Sequence, residues 1–160
     1  MKLYFSPGAC SLASHICLAE SGLKYQTESV DLRAKTTKSG ANFRNINSKG
    51  YVPALETQTG EVLTEGASSR QDGADQALGK DLAPSPGTFE RYRLQEWLNY
   101  IATEVHKSFS PLWNSKLPED QRKAALENLH KKCEWLEAHI QPGRFLMGST
   151  FTVADAYLFT

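Results

Sequence analysis

The chain has 160 residues, 40% of them apolar, and its 18 Lys plus Arg balance 18 Asp plus Glu. That supports a packed core rather than a disordered chain, and the even mixing of signs gives little hold on nucleic acid or anionic lipid, so neither is an expected partner. Cys10, Cys17 and Cys133 form no disulfide framework and, with His15, lack the paired spacing of a zinc site, so no metal is expected.

Lys2 to Phe5 is a short β-prone run stopped by the turn residues Ser6-Pro7-Gly8, too early a break for a signal peptide. With no apolar run near the roughly 20 residues that cross a bilayer, the expected compartment is the cytoplasm. Leu12, Ile16 and Ala19 recur at helical spacing as far as Gly22, which predicts a helix with a glycine stop. Tyr25 to Leu32 reads as a second strand, completing a βαβ unit. Arg33 to Lys49 is polar, with room for one short helix. Tyr51–Glu56 and Glu61–Leu63 then flank Gly60 as a hairpin. Gly66 to Leu78 has the length and place of a helix, yet Ala67-Ser68-Ser69-Arg70-Gln71-Asp72-Gly73 carries almost no apolar surface, a conflict between local composition and global pattern. Gly79 to Thr88, with Pro84 and Pro86, reads as a linker.

Beyond it the pattern is all-helical. Leu94, Leu98, Ile101, Val105 and Phe109 form one apolar stripe. Pro118 suits the start of a second helix, whose stripe is Leu126, Leu129, Cys133, Leu136 and Ile140, with Pro142-Gly143 as its stop. Thr152 as N-cap, Asp155 at N3 and Phe151 as a staple open a third. That helix has barely begun at Thr160, so the chain reads as cut short.

Cys10 follows a strand and a turn and opens a helix, where the macrodipole and free N–H groups favour thiolate. The alternative is a small buried hydrophobe. Position 13 is Ala13, so there is no C-x-x-C pair and a dithiol mechanism is not expected, whereas pairing with an external thiol is open. Cys17 and Cys133 read as core. Val52 precedes Pro53, and a cis bond there would leave the Val52 backbone free to pair with a peptide-like ligand. Glu65, at the start of the weak helix, reads either as a plain terminal charge or as half of an amino-acid clamp with the following N–H groups. Asn99, Thr103 and His106 fall at i, i+4 and i+7, a polar ridge bordered by Lys107. A solvated face is the simpler account of that ridge.

Taken together, Met1-Lys2-Leu3-Tyr4, Pro7-Gly8-Ala9-Cys10-Ser11-Leu12, Val52-Pro53-Ala54-Leu55, Leu63-Thr64-Glu65-Gly66, Glu96-Trp97-Leu98-Asn99-Tyr100, Glu104-Val105-His106-Lys107 and Phe151-Thr152-Val153-Ala154-Asp155-Ala156-Tyr157-Leu158-Phe159-Thr160 resemble the bacterial, beta-class glutathione S-transferases. The resemblance implies a thioredoxin-like α/β domain over residues 1–80 and an all-α domain over 87–160, incomplete at its end. It implies glutathione as co-substrate, a small electrophile and a homodimer. It carries over Cys10 as the contact of the glutathione sulfur, Val52 before cis Pro53 as a backbone partner, Glu65, Gly66 and Ala67 at the γ-glutamyl end, and Lys35 at the glycyl end. Asn99, Thr103, Glu104, Val105 and His106 would help hold glutathione near the dimer interface. His106 with Cys10 would be catalytic, and His106 and Lys107 would border the electrophile. The implied activity is conjugation of glutathione's thiol. The alternatives are a non-catalytic glutathione-binding protein on the same fold and a Cys10-dependent thiol-exchange enzyme. One departure stands out: the helix after Glu65 usually carries larger apolar residues.

Overall fold

The computed structural model describes residues 1–77, 80–140 and 144–160. Strand β1 (Lys2–Phe5) leads through helix α1 (Ser11–Ser21), capped by Gly22 at φ 71°, to β2 (Gln26–Asp31), which lies parallel to β1 with Leu3 opposite Thr27. The polar stretch after it holds a two-residue strand, β3 (Thr36–Thr37), and a 3₁₀ turn over Phe43–Asn45. β4 (Ala54–Glu56) and β5 (Val62–Thr64) form the antiparallel hairpin, and the sheet order is β3-β2-β1-β4-β5.

Helix α1 is buried along Ser11, Ala13, Ser14, Cys17 and Leu18, not along the expected stripe; Leu12 is 45% exposed and Ala19 is exposed. The reason is that α1 is covered on two sides. Leu18 joins Leu3 and Leu55 against the sheet, while Cys17 faces the helical half. A helix covered twice does not present its widest apolar ridge to a single neighbour.

The polar segment after Glu65 does fold as a helix, α2 (Gly66–Gln76), burying Ser69, Arg70, Gly73 and Ala74. Small residues let it lie close on α1. A Cβ at Gly73 would stand 3.5 Å from Leu18 Cδ2.

Helix α3 (Phe89–Tyr100) starts at Thr88, whose hydroxyl accepts from the Arg91 N–H at 3.2 Å, and runs on through a π-helical turn over Ile101–His106. Leu94, Leu98, Ile101 and Val105 are buried as expected, but Phe109 is 40% exposed, because the wider turn breaks the four-residue step. Helix α4 (Glu119–His139) follows Pro118. Only Leu136 of its expected stripe is buried; Leu126 is 50% exposed and Cys133 is exposed, since no described element faces that side. The expected stop at Pro142-Gly143 lies outside the described residues, as do Leu78 at the end of the expected weak helix and Gly79 at the start of the expected linker.

Helix α5 (Val153–Phe159) is opened by the expected box: the Asp155 carboxylate accepts from the Thr152 N–H and hydroxyl, each at 2.8 Å, and from the Leu146 N–H at 2.7 Å. Its Val153, Ala154 and Ala156 are fully buried in one cluster with Cys17, Ala74, Leu94, Leu98 and Ile101. The largest core therefore spans both halves of the chain. The Val153 N–H also donates to the Leu82 carbonyl at 3.0 Å, tying the linker to α5.

Candidate functional site

A cleft of about 440 Å³ opens between the α1 and α2 starts on one side and the π turn with α5 on the other. Cys10 is the N-cap of α1, half-buried, with its Sγ donating to the Val52 carbonyl at 3.5 Å. Burial pushes the thiol's pKa up, while the Arg70 charge and a backbone N–H work the other way. The depressed thiol expected from the sequence is therefore corrected. The helix terminus is there, but the sulfur is taken out of water and its proton has a carbonyl acceptor, and both favour S–H. Cys17, deeper in α1, is pushed up to about 12 by burial.

The Val52–Pro53 peptide, which leads into β4, is cis. Glu65 joins β5 to α2 at φ 68°, a left-handed conformation uncommon for a residue with a Cβ and a pointer to a constrained site. Its carboxylate pairs with Lys49 Nζ at 2.6 Å. Gly66 follows and opens the N-terminus of α2 toward the cleft.

On the far wall the π turn presents Ala102, His106 and the adjoining Lys107. His106 Nδ1 lies 2.9 Å from the Tyr157 hydroxyl of α5, with the rings edge to face. Burial, then Lys107 and Arg70, hold the imidazole below its ordinary pKa, which favours the neutral ring. Burial likewise raises the Tyr157 phenol. Beneath them Arg70 is 1% exposed, its guanidinium 3.8 Å from the Tyr157 ring centroid and its Nε without a partner.

Cys10, Val52, Pro53, Glu65, Gly66, His106 and Lys107 thus share one cleft. Six other expected residues do not line it. Lys35 Nζ donates to the Gly50 carbonyl at 3.0 Å and lies over the Tyr51 ring, at the margin. Ala67 packs into the shared core. Asn99 and Thr103 are exposed, bonded to each other through Thr103 Oγ1 and the Asn99 carbonyl at 3.0 Å; Glu104 pairs with Lys132 of α4 at 2.9 Å, and Val105 is buried. Asn99 lies in α3, whereas Thr103 and His106 lie in the π turn that follows it. Asn47, Lys49, Tyr51, Thr64, Arg70, Ala102 and Tyr157 line the cleft without having been expected. A lone arginine in an apolar-poor helix was the one sequence signal among them. A shallow hollow on α4, about 480 Å³ and lined by Leu126, Glu127, Leu129, His130 and Cys133, contains none of the expected site residues. Among the described residues no cluster of His, Cys, Asp or Glu is placed to hold a metal ion, and no helix is long and apolar enough to cross a membrane.

Residues 8–68 match the glutathione S-transferase N-terminal domain and residues 119–160 the C-terminal domain. The chain is 44% identical over 160 residues to glutathione S-transferase GstA of Escherichia coli O157:H7, covering all of this chain and 80% of that protein. It belongs to the glutathione S-transferase family, with a thioredoxin-like front half and a helical back half. Among solved structures it is similar to the bacterial beta-class enzyme of Sphingomonas chungbukensis, with TM-score 0.93 and 40% identity, covering 99% of this chain and 79% of that one. It is similar too to the sphingomonad glutathione S-transferase complexed with glutathione, with TM-score 0.94 and 39% identity, again over 99% and 79%.

Proposed function

We propose that the chain binds glutathione in this cleft and conjugates its thiol to small electrophiles. The observation that carries the proposal is the meeting of the Cys10 thiol, the Val52 backbone and the N-terminus of α2 in one cleft, on a chain similar to a transferase whose structure holds glutathione. A helix N-terminus favours anions, so the carboxylate of the γ-glutamyl end suits Glu65–Gly66. Val52 pairs with the cysteinyl backbone, Cys10 contacts the glutathione sulfur, and Lys35 reaches the glycyl end from the margin. In the reaction the glutathione thiol gives its proton to water. The thiolate then attacks the electrophilic carbon, a C–S bond forms, and the leaving group departs with its electron pair. The protein supplies oriented donors that hold the sulfur as thiolate. His106 and Lys107 border the electrophile.

The proposed organisation is a glutathione-binding unit over residues 1–80 and a helical unit over 87–160, working in the cytoplasm as a two-fold homodimer. Asn99 and Thr103, exposed in the single chain, would then lie toward the neighbouring subunit. Calorimetric titration with glutathione, followed by turnover of 1-chloro-2,4-dinitrobenzene, tests the activity. Binding together with conjugation supports it. Binding without turnover would make the chain a glutathione-binding protein, and reduction of a glutathione mixed disulfide without conjugation would make it a Cys10 exchange enzyme.

A further inference from the structure

Arg70 is a permanent cation buried without a carboxylate. The carboxylates of its own helix and N-cap are committed elsewhere: Glu65 to Lys49, Asp75 to Arg91, and Asp72 to the side chain of Gln76. Among the described residues it forms no ion pair, and its Nε has no acceptor. The guanidinium folds back over the first residue of its own helix; a Cβ at Gly66 would stand 2.9 Å from its Cζ. It therefore lies at the positive end of the α2 macrodipole, where a cation is disfavoured. The titratable groups around it are Cys10 at the N-cap of α1, Cys17 within α1, Glu65 before α2, His106 of the π turn with the adjoining Lys107, and Tyr157 of α5; Lys49 and Tyr51 complete the cleft. Glu65 alone is anionic at neutral pH, and it is paired. A buried charge keeps its place when an opposite charge meets it, and the open side of Arg70 is the cleft it lines with Cys10.

We infer that Arg70 is the counter-cation of the bound thiolate, a positioning residue whose charge favours loss of the proton of glutathione's sulfur to water beside Cys10. This rests on glutathione occupying the cleft as proposed above. The charge of Arg70 already reaches Cys10, Cys17 and Tyr157, favouring the ionised form of each. A sulfur with more access to water than Cys17 feels the same pull with less opposition from burial.

The test titrates the ultraviolet absorbance of the thiolate in the protein–glutathione complex, in wild type and in Arg70→Met. The expected result is retained glutathione binding with the thiolate midpoint raised by at least about one pH unit, a loss of about tenfold in thiolate at neutral pH. The same variant, freed of an unpaired charge, is expected to melt at a higher temperature without ligand, which a merely structural arginine would not give. Arg70→Lys, keeping the charge, is expected to retain most of the wild-type midpoint. Arg70→Gln, neutral and polar, is expected to shift it as Met does and serves if Met fails to fold. An unchanged midpoint in Met or Gln with binding intact would overturn the role of Arg70 and leave glutathione transfer standing. Absence of glutathione binding by the wild type would overturn both.

Discussion

Ser14 of α1 and Ser69 of α2 meet with their hydroxyl oxygens 3.3 Å apart, both buried, between the two helices. Hydroxyls facing hydroxyls satisfy each other, so a segment without large apolar side chains can still cover α1. The contact is poor in large apolar side chains, and α2 rests on the small residues Ala67, Gly73 and Ala74 beside the buried Arg70.

Gly73 is accordingly where α2 can be strengthened. It is helical, and a Cβ there would make ordinary contact with Leu18. Gly73→Ala is expected to stabilise the protein by about 0.5–1 kcal/mol through helix propensity. Chemical denaturation measures the gain, and a loss of stability would mean that α2 sits closer to α1 than described. Amide exchange in α2 should be faster than in α3 and should slow in this variant.

The three cysteines should react in an order set by exposure and burial. Iodoacetamide is expected to label Cys133 first and Cys10 more slowly, with Cys17 protected until the protein unfolds. Peptide mass spectrometry after brief exposure reads the order. Cys10 labelled ahead of Cys133 would mean that its thiolate is favoured despite burial.

His106 should titrate below its ordinary value of 6.5, because burial disfavours the imidazolium and Lys107 and Arg70 repel it. The depressed value means that the folded state takes this proton less readily than the unfolded chain. The contribution to stability is present above about pH 6.5 and is lost as pH falls through the folded midpoint. Ring proton shifts across pH 4–8 check this, and Lys107→Met is expected to raise the midpoint. A midpoint at or above 6.5 in the wild type would refute the arrangement.

Glu28 is held at about 2, first by hydrogen bonding from Ser39 and then by Lys2, whose Nζ is 2.9 Å away. Its ordinary value is 4.5. The stabilisation is therefore present above about pH 4.5 and disappears as pH falls toward 2. Glu28→Gln should cost about 1 kcal/mol or less at neutral pH after solvent screening, with the difference vanishing in acid. A difference that persists at pH 2 would point to packing instead.

The strands were legible because turn residues bracket them: Ser6-Pro7-Gly8, Gly22 and Gly60 each mark a reversal or a stop that the structure keeps. Helices α3 and α5 were legible from Leu94–Val105 and from the Thr152–Asp155 box. What periodicity missed depends on partners distant in sequence. The buried face of α1 is chosen by the sheet and α5 together, and the exposure of Cys133 by the lack of a described element opposite α4. In the site, Cys10, Val52, Glu65 and His106 sit at element ends, where sequence punctuation is strongest. Tyr157 and Arg70 enter only through tertiary approach. The π turn over Ile101–His106 leaves no mark in the pattern of Leu94, Leu98, Ile101 and Val105.

The core that joins Cys17 to Val153, Ala154 and Ala156 has a consequence during synthesis. Between them the ribosome must add more than a hundred residues, which at about 5–20 residues per second takes on the order of ten seconds. Through that interval the outer side of α1 is bare, and α2, with little apolar surface of its own, screens it weakly. The sheet and α1 can gather early, but they wait for α5 to close over them. A nascent chain in that state offers chaperones an apolar face that the finished protein hides.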